Sequence, residues 1–145
     1  MSFIKTDDNV KLFYESIGKG EPIIFVHEFA GDYRSWEPQI NYLSRYYQCI
    51  TFCARGYPPS EVPKNESSYS QERAWRDILS VMDNLKIEKA HIVGLSMGGF
   101  ATLHLGMNAQ DRVLSLVIAG CGYGAIPTDK TTFNKEADFS NISLD

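Results

Sequence analysis

Hydrophobic and polar positions along this chain fall into two patterns, short apolar runs and longer segments with helical spacing. The short runs are typical of β-strands, buried on both faces where they are continuous and lying at an edge where polar residues alternate. The strands predicted in this way cover residues 10–17, 22–27, 49–53, 90–95 and 113–119.

Helical patterns fill most of the stretches between these strands. Ser35 is a candidate N-cap for a first helix, and Ser70 is a candidate N-cap for a second and clearer one. A third helix is predicted over about residues 97–108, and residues 55–70 read as a loop rich in Pro and Ser. Strands that alternate with helices predict an α/β fold, with a mostly parallel twisted sheet and helices on both faces.

Composition limits the class of protein. The chain has 145 residues, 43% of them hydrophobic and 22% charged, with a net charge of −4. An acidic balance argues against nucleic acid or an anionic membrane as a partner. Because no apolar run approaches the ~20 residues of a membrane span and the first residues are polar, we expect a soluble, cytoplasmic protein.

The three cysteines predict neither a disulfide nor a metal site. Cys49 and Cys53 lie in an apolar run and are expected to be buried and reduced, and Cys121 stands alone. Neither CxxC nor Cys/His spacing typical of zinc occurs, so we expect no metal and no cofactor.

The segment with the clearest chemistry runs from Gly94 to Gly98 and reads Gly-Leu-Ser-Met-Gly. Its Ser96 lies between a predicted strand and a predicted helix, as a nucleophile elbow requires. Glycines two residues on either side permit a tight turn that exposes the hydroxyl. The alternative is a purely structural glycine-rich turn between strand and helix, in which serine is present only because a small residue fits. A dinucleotide or P-loop motif fits worse, since neither GxG nor Gly-Lys-Ser/Thr is present here.

Three segments in register resemble the α/β-hydrolase family. They are His27 with Phe29-Ala-Gly31, Arg55-Gly-Tyr-Pro-Pro-Ser60, and the turn that contains Ser96. The resemblance implies that Ser96 is the nucleophile and that the backbone N–H groups of Met97 and Phe29 form an oxyanion hole. It also implies that Gly94, Gly98 and His27 support the elbow and the loop.

The same resemblance implies a substrate class. A serine at the elbow points to a small carboxylic ester or lactone, whereas epoxide hydrolases and dehalogenases of this fold carry Asp there. Tyr33, Trp36 and Tyr57 are candidates to line an apolar pocket, with core packing as the commoner role of aromatic residues.

Two positions depart from the family pattern within these motifs. Glu28 replaces the usual Gly, and we expect its side chain to face solvent or to pair with Arg55. The sharper alternative is a carboxylate beside the oxyanion hole that tunes substrate choice or the ionisation of Ser96. Pro58 replaces a Gly and stiffens the loop.

A third departure concerns the catalytic base. None of the chain's three histidines follows His104, although the family order is Ser, then Asp or Glu, then His. His104 lies about 12 Å along the elbow helix from Ser96, His91 starts the strand that ends at Ser96, and His27 is a weak candidate for an adapted base.

The chain therefore resembles the N-terminal half of a serine hydrolase. Residues 1–120 would form part of the core, and residues 121–145 would begin a lid or form a disordered tail. A non-catalytic binding protein and an acyltransferase remain open alternatives. Because residues 113–119 would form an apolar edge strand, we also expect self-association through that strand.

Overall fold

The computed structural model describes residues 2–121, in which six strands form one sheet. The strands are β1 (Ser2–Lys5), β2 (Lys11–Ile17), β3 (Pro22–Val26), β4 (Gln48–Phe52), β5 (Ala90–Leu95) and β6 (Val113–Ala119). Their order in the sheet is β1-β2-β4-β3-β5-β6. β3 pairs in parallel with β4 and β5, and β5 pairs in parallel with β6. β2 pairs antiparallel with both β1 and β4. The prediction of an α/β fold with a mostly parallel sheet is confirmed.

Helices cover both faces of the sheet. They are α1 (Glu37–Leu43), α2 (Gln71–Asn84) and α3 (Met97–Asn108). Alternate residues of β3 point to opposite faces, so Ile24 and Val26 pack in the core beneath α2 and α3, and Ile23 and Phe25 pack in the core on the α1 side. The continuous apolar run that predicted β3 reflects this burial on two faces.

The predicted N-cap residue is correct for α2 but not for α1. The Ser70 hydroxyl accepts a hydrogen bond from the Arg73 N–H at the start of α2, as predicted. Ser35 was expected to cap the first helix, and this is wrong. A 3₁₀ turn, Tyr33–Trp36, precedes α1, and its cap is Asp32, whose carboxylate accepts from Arg34 N–H.

Strand β1 is absent from the pattern of predicted strands. It is only four residues long, and of these only Ile4 is buried. Its place is fixed by antiparallel pairing with β2, opposite residues 11–14. Within residues 2–121, no helix combines the length and the hydrophobicity needed to cross a lipid bilayer.

Candidate active site

Ser96 occupies a strained turn between β5 and α3. Its backbone has φ 52° and ψ −115°, outside the regions that L-residues usually adopt. The Ser96 N–H donates to Ala119 O at the end of β6 (2.8 Å), and Phe100 N–H donates to Ser96 O (2.9 Å). The side chain is exposed, and its hydroxyl has no hydrogen-bond partner within the described range. This geometry is the one that the Gly-Leu-Ser-Met-Gly motif predicts.

The two glycines of the motif are required by space. A Cβ on Gly98 would lie 2.6 Å from His27 O and would also overlap Val26 O. A Cβ on Gly94 would overlap the Thr102 hydroxyl and the Gly98 carbonyl. Since these neighbours are mostly backbone atoms, the first turn of α3 can pack this closely against β3 and β5 only with glycine at Gly98 and Gly94 respectively.

The two predicted oxyanion donors lie at the same end of the sheet. Met97 is the first residue of α3, where the N–H groups have no acceptor within the helix. Phe29 follows β3 in the neighbouring loop, and its N–H has no acceptor among residues 2–121. Tyr57 lies between the two segments, because its ring contacts Phe29 and its hydroxyl donates to Met97 Sδ at 3.5 Å.

His27 is fully engaged in holding two loops. Its Nδ1–H donates to Glu28 O (2.8 Å), and its Nε2 accepts from Ala54 N–H (3.0 Å). The ring is 1% exposed, and burial lowers the pKa of this imidazole. The neutral ring therefore joins the loop after β3 to the loop after β4, and neither nitrogen is free to take a proton from Ser96.

The other two histidines lie away from Ser96. His91 bridges Ser115 Oγ (2.6 Å) and Glu21 Oε1 (2.7 Å) at the opposite end of β5. His104 packs edge-on against Phe100 on α3, with ring centroids 4.6 Å apart. No histidine of this chain is thus placed as a base for Ser96.

A cavity of about 760 Å³ lies beside the elbow. Met97, Gly98 and Phe29 form one side of it, and α2 contributes Ala74 to the other. The rest of the lining is mainly apolar and includes Val26, Phe52, Tyr57, Val62, Tyr69 and Ala101. Of the three aromatic residues predicted to line a pocket, only Tyr57 does so. Tyr33 is half-buried and packs against Phe13, and Trp36 is buried in the core against Phe25.

Arg55 also borders the cavity, but its positive charge is fully paired with carboxylates. Its Nε and Nη2 donate to the Asp77 carboxylate (2.8 and 2.7 Å), and both Nη atoms donate to Asp8 (2.9 Å each). Nη1 also donates to Ser68 O (2.7 Å). All five donors are satisfied, so the cavity offers no cation to an anionic ligand at this point.

The expected pairing of Glu28 with Arg55 is therefore wrong. The Glu28 Oε1 instead accepts from the Ser35 hydroxyl at 3.0 Å. Its Oε2 is buried and has no hydrogen-bond partner within residues 2–121. Arg55 is unavailable because two carboxylates from distant parts of the chain already surround it.

Cys121 is a neighbour of the site that sequence reasoning missed. Its thiol lies 3.3 Å from Ser96 O and is positioned to donate to it. Burial raises the pKa of this thiol, so the neutral form dominates and Cys121 is a poor competitor for Ser96 as a nucleophile. No local motif marks it, since the contact arises only because β6 ends beside the elbow. Cys49 and Cys53 are buried and free, as predicted.

Comparison with known proteins identifies the family. A family model described as the alpha/beta hydrolase fold matches residues 21–143. The chain belongs to the α/β-hydrolase fold family, as the three motifs in register indicate.

Three proteins similar to this chain are named as hydrolases of different kinds. It is 35% identical over 97 residues to 3-oxoadipate enol-lactonase 1 of Acinetobacter baylyi, covering 67% of this chain and 35% of that protein. It is 30% identical over 111 residues to epoxide hydrolase 3 of Siraitia grosvenorii, covering 76% and 35%. The crystal structure of an esterase from Exiguobacterium antarcticum superimposes with a TM-score of 0.78 at 30% identity, covering 85% of this chain and 46% of that one.

The chain thus spans less than half the length of each of these proteins. Membership of a hydrolase family follows from the comparisons. The described residues supply an elbow, two candidate backbone donors and an apolar cavity.

Proposed function

We propose that this chain carries the nucleophile and oxyanion hole of a serine hydrolase that acts on a small carboxylic ester or lactone. The observation that carries the proposal is Ser96 at φ 52°, exposed between β5 and α3. A strained, exposed serine whose hydroxyl has no structural hydrogen bond within the described residues is typical of a nucleophile.

The proposed reaction has two stages. The Ser96 Oγ attacks the acyl carbon while a base removes its proton, and the carbonyl oxygen becomes an oxyanion that the Met97 and Phe29 N–H groups stabilise. The C–O bond to the leaving alcohol then breaks, and the alkoxide takes the proton from the base. Water attacks the acyl-serine in the same way and releases the carboxylic acid; in a lactone, the alcohol and the acid remain one molecule.

Serine favours acyl chemistry over the opening of an epoxide. A serine that opened an epoxide would form an ether, and water does not readily cleave an ether. An acyl-serine is an ester, which the same oxyanion hole can hydrolyse. The serine at the elbow therefore favours a reaction like that of the enol-lactonase or the esterase over one like that of the epoxide hydrolase.

The base and its orienting carboxylate would come from outside the residues described. His27 has both nitrogens occupied, and His91 and His104 lie away from Ser96. The oxyanion hole alone can leave a residual acceleration of about 10³–10⁴ in hydrolases that lack triad members. Slow covalent modification of Ser96 by a reactive ester or phosphonate is therefore expected of this chain by itself.

Intact-mass spectrometry after incubation with a serine-directed phosphonate ester tests the proposal. We expect one adduct per chain in the wild type and none in a Ser96→Ala variant. Ser16→Ala serves as a further control and should label like the wild type, since this exposed serine of β2 lies away from the site and has a structural hydrogen bond from Gln48. No adduct on a sample shown to be folded, or an adduct that persists in Ser96→Ala, would contradict the proposal.

A second candidate function is binding without turnover. The occupied ring nitrogens of His27 favour it, because the cavity remains while none of the chain's histidines is placed as a base. Saturable binding of a phenyl ester with no release of phenol, in a chain that the phosphonate does not label, would support this function. An acyltransferase would instead give more ester product when an alcohol is added.

A further inference from the structure

The loop of residues 27–32 carries the Phe29 N–H, which the proposed function assigns to the oxyanion hole. This loop connects β3 to the 3₁₀ turn Tyr33–Trp36. The Phe29 side chain is 74% exposed, so its packing contributes little to holding the loop. Other contacts must fix the N–H in place, because an oxyanion donor acts only when it is held near its acceptor position.

Two of these contacts involve only the backbone oxygen of Glu28. The His27 Nδ1–H donates to it at 2.8 Å, and the Gly31 N–H donates to it at 3.1 Å. Any residue at position 28 would provide this oxygen. These bonds close the turn but do not connect Glu28 to the 3₁₀ turn.

The Glu28 side chain supplies the connection to the 3₁₀ turn. The Ser35 hydroxyl donates to Glu28 Oε1 (3.0 Å), and the Asp32 N–H donates to Ser35 Oγ (3.3 Å). The Ser35 N–H donates in turn to Asp32 O (3.0 Å). The carboxylate therefore joins the residue immediately before Phe29 to the turn that ends the loop.

Gly31 is explained by the same side chain. Its φ is not in the left-handed region, so its backbone does not require glycine. A Cβ at this position would overlap Glu28 Oε1 and Ser35 Oγ. The space above Gly31 is thus occupied by the Glu28 carboxylate and its hydrogen bond.

We infer that Glu28 is a positioning residue, whose carboxylate acts through Ser35 to hold the Phe29 N–H in place for the oxyanion. This inference rests on the proposed function. The carboxylate is not presented to a substrate, because Ser35 occupies Oε1 and Oε2 is buried. Glu28 is thereby assigned a role through hydrogen-bond geometry, whereas the alternative is that its charge tunes substrate choice or the ionisation of Ser96.

Two measurements on the full chain test the inference. The first is amide hydrogen exchange at Gly31 and Asp32, followed by NMR, which reports loop order without requiring catalysis. The second is phosphonate labelling of Ser96, resolved into the reagent's initial affinity and the subsequent rate of bond formation. The variants are Glu28→Ala, Glu28→Gln and Ser35→Ala. Glu37→Ala is the matched control, since it removes an exposed carboxylate close to the same turn.

Glu28→Ala and Ser35→Ala are expected to raise exchange at both amides and to slow bond formation by about ten- to a hundredfold, with the initial affinity little changed. Glu28→Gln keeps an acceptor oxygen and is expected to stay within about threefold of the wild type. Glu37→Ala should match the wild type in both measurements.

Three results would overturn the inference. One is unchanged exchange in Glu28→Ala. Another is a Glu28→Gln variant as slow as Glu28→Ala, which would assign the effect to charge. The third is exchange raised in Glu28→Ala with an unchanged labelling rate. If the wild type is not labelled at all, the proposed function fails, and exchange at Gly31 and Asp32 alone decides whether Glu28 holds the loop.

Discussion

Gly98 sets how closely the elbow can approach the sheet. It is buried, and the position of its missing Cβ lies 2.6 Å from the carbonyl oxygen of His27, the first residue of the loop of residues 27–32. A methyl group here cannot be accommodated by a side-chain rotation, because the atoms that it meets are backbone. Any relief must move α3 away from β3, and with it Ser96 and Met97.

Gly98→Ala is therefore expected to lower the free energy of unfolding by about 2 kcal/mol or more, as overpacking does in a close-packed interior. Urea denaturation followed by the fluorescence of Trp36 and Trp75 would measure the loss. The same variant should label with phosphonate more slowly than the wild type under folding conditions.

Gly106→Ala is the matched control in the same helix. Its Cβ would meet the end of the Leu116 side chain, which can rotate. Gly106 lies in the last turn of α3, where replacing glycine by alanine gains up to about 1 kcal/mol of helix propensity, so stability should be unchanged or higher. An equal loss of unfolding free energy in Gly98→Ala and Gly106→Ala would contradict the argument that backbone contacts exclude a side chain at Gly98.

At the scale of elements, Arg55 joins three parts of the chain. Asp8 lies in the turn between β1 and β2, Arg55 follows β4, and Asp77 lies on α2. Hydrogen bonds from Arg55 lower the pKa of Asp8, whereas burial raises the pKa of Asp77 against the opposing effect of the guanidinium. The two carboxylates therefore respond differently to acid.

The lowered pKa of Asp8 makes its contribution to stability dependent on pH. A carboxyl whose pKa is lower in the folded state stabilises the fold above its unfolded pKa of about 4, and the contribution disappears as the pH falls through the folded pKa. Asp8→Asn is expected to cost about 1–2 kcal/mol at pH 7, a modest value because the side chain is one-third exposed. The difference in the free energy of unfolding between Asp8→Asn and the wild type should become smaller below about pH 4.

Urea denaturation of Asp8→Asn and of the wild type between pH 3 and pH 7 measures this difference in the free energy of unfolding. Glu72→Gln is the control, because Glu72 forms an exposed pair with Arg76 that is worth only a few tenths of a kcal/mol. A difference between Asp8→Asn and the wild type that stays constant down to pH 3 would show that Asp8 contributes through packing alone.

The sequence predicts most elements because their signals are local. Buried strands and the apolar face of α2 follow from periodicity, and the elbow follows from five adjacent residues. β1 was missed because four residues with a single buried side chain carry no periodic signal. Ser35 does not cap α1, because it lies inside a 3₁₀ turn that Asp32 caps and that precedes the α-helix.

The parts of the site that escaped prediction depend on contacts between distant residues. Asp8 and Asp77 lie 47 and 22 residues from Arg55, so no local pattern shows that this arginine is already paired and unavailable to Glu28. Cys121 lies 25 residues from Ser96 and reaches it only through the pairing of β5 with β6. A local sequence motif locates the proposed nucleophile, whereas the residues that surround it are set by the fold.

At the scale of the molecule, the sheet has an open apolar edge. β6 pairs with β5 on one side and with no strand of the described residues on the other. None of its seven residues is charged, and Leu114, Val117 and Ile118 are 43%, 51% and 38% exposed. Natural edge strands usually carry lysine, proline or a bulge that prevents pairing. β6 has neither lysine nor proline, and its one register shift against β5 lies at its start, so residues 115–119 are regularly paired.

We therefore predict that this chain self-associates by pairing β6 with a second copy. Sedimentation velocity over a range of protein concentrations should show a species larger than the monomer, and Val117→Lys should shift it towards the monomer by placing a charge on the edge. Val62→Lys is the matched control, because Val62 is 53% exposed but lies in the loop before α2. A monomer at every concentration, or an equal effect of both lysines, would contradict pairing through β6.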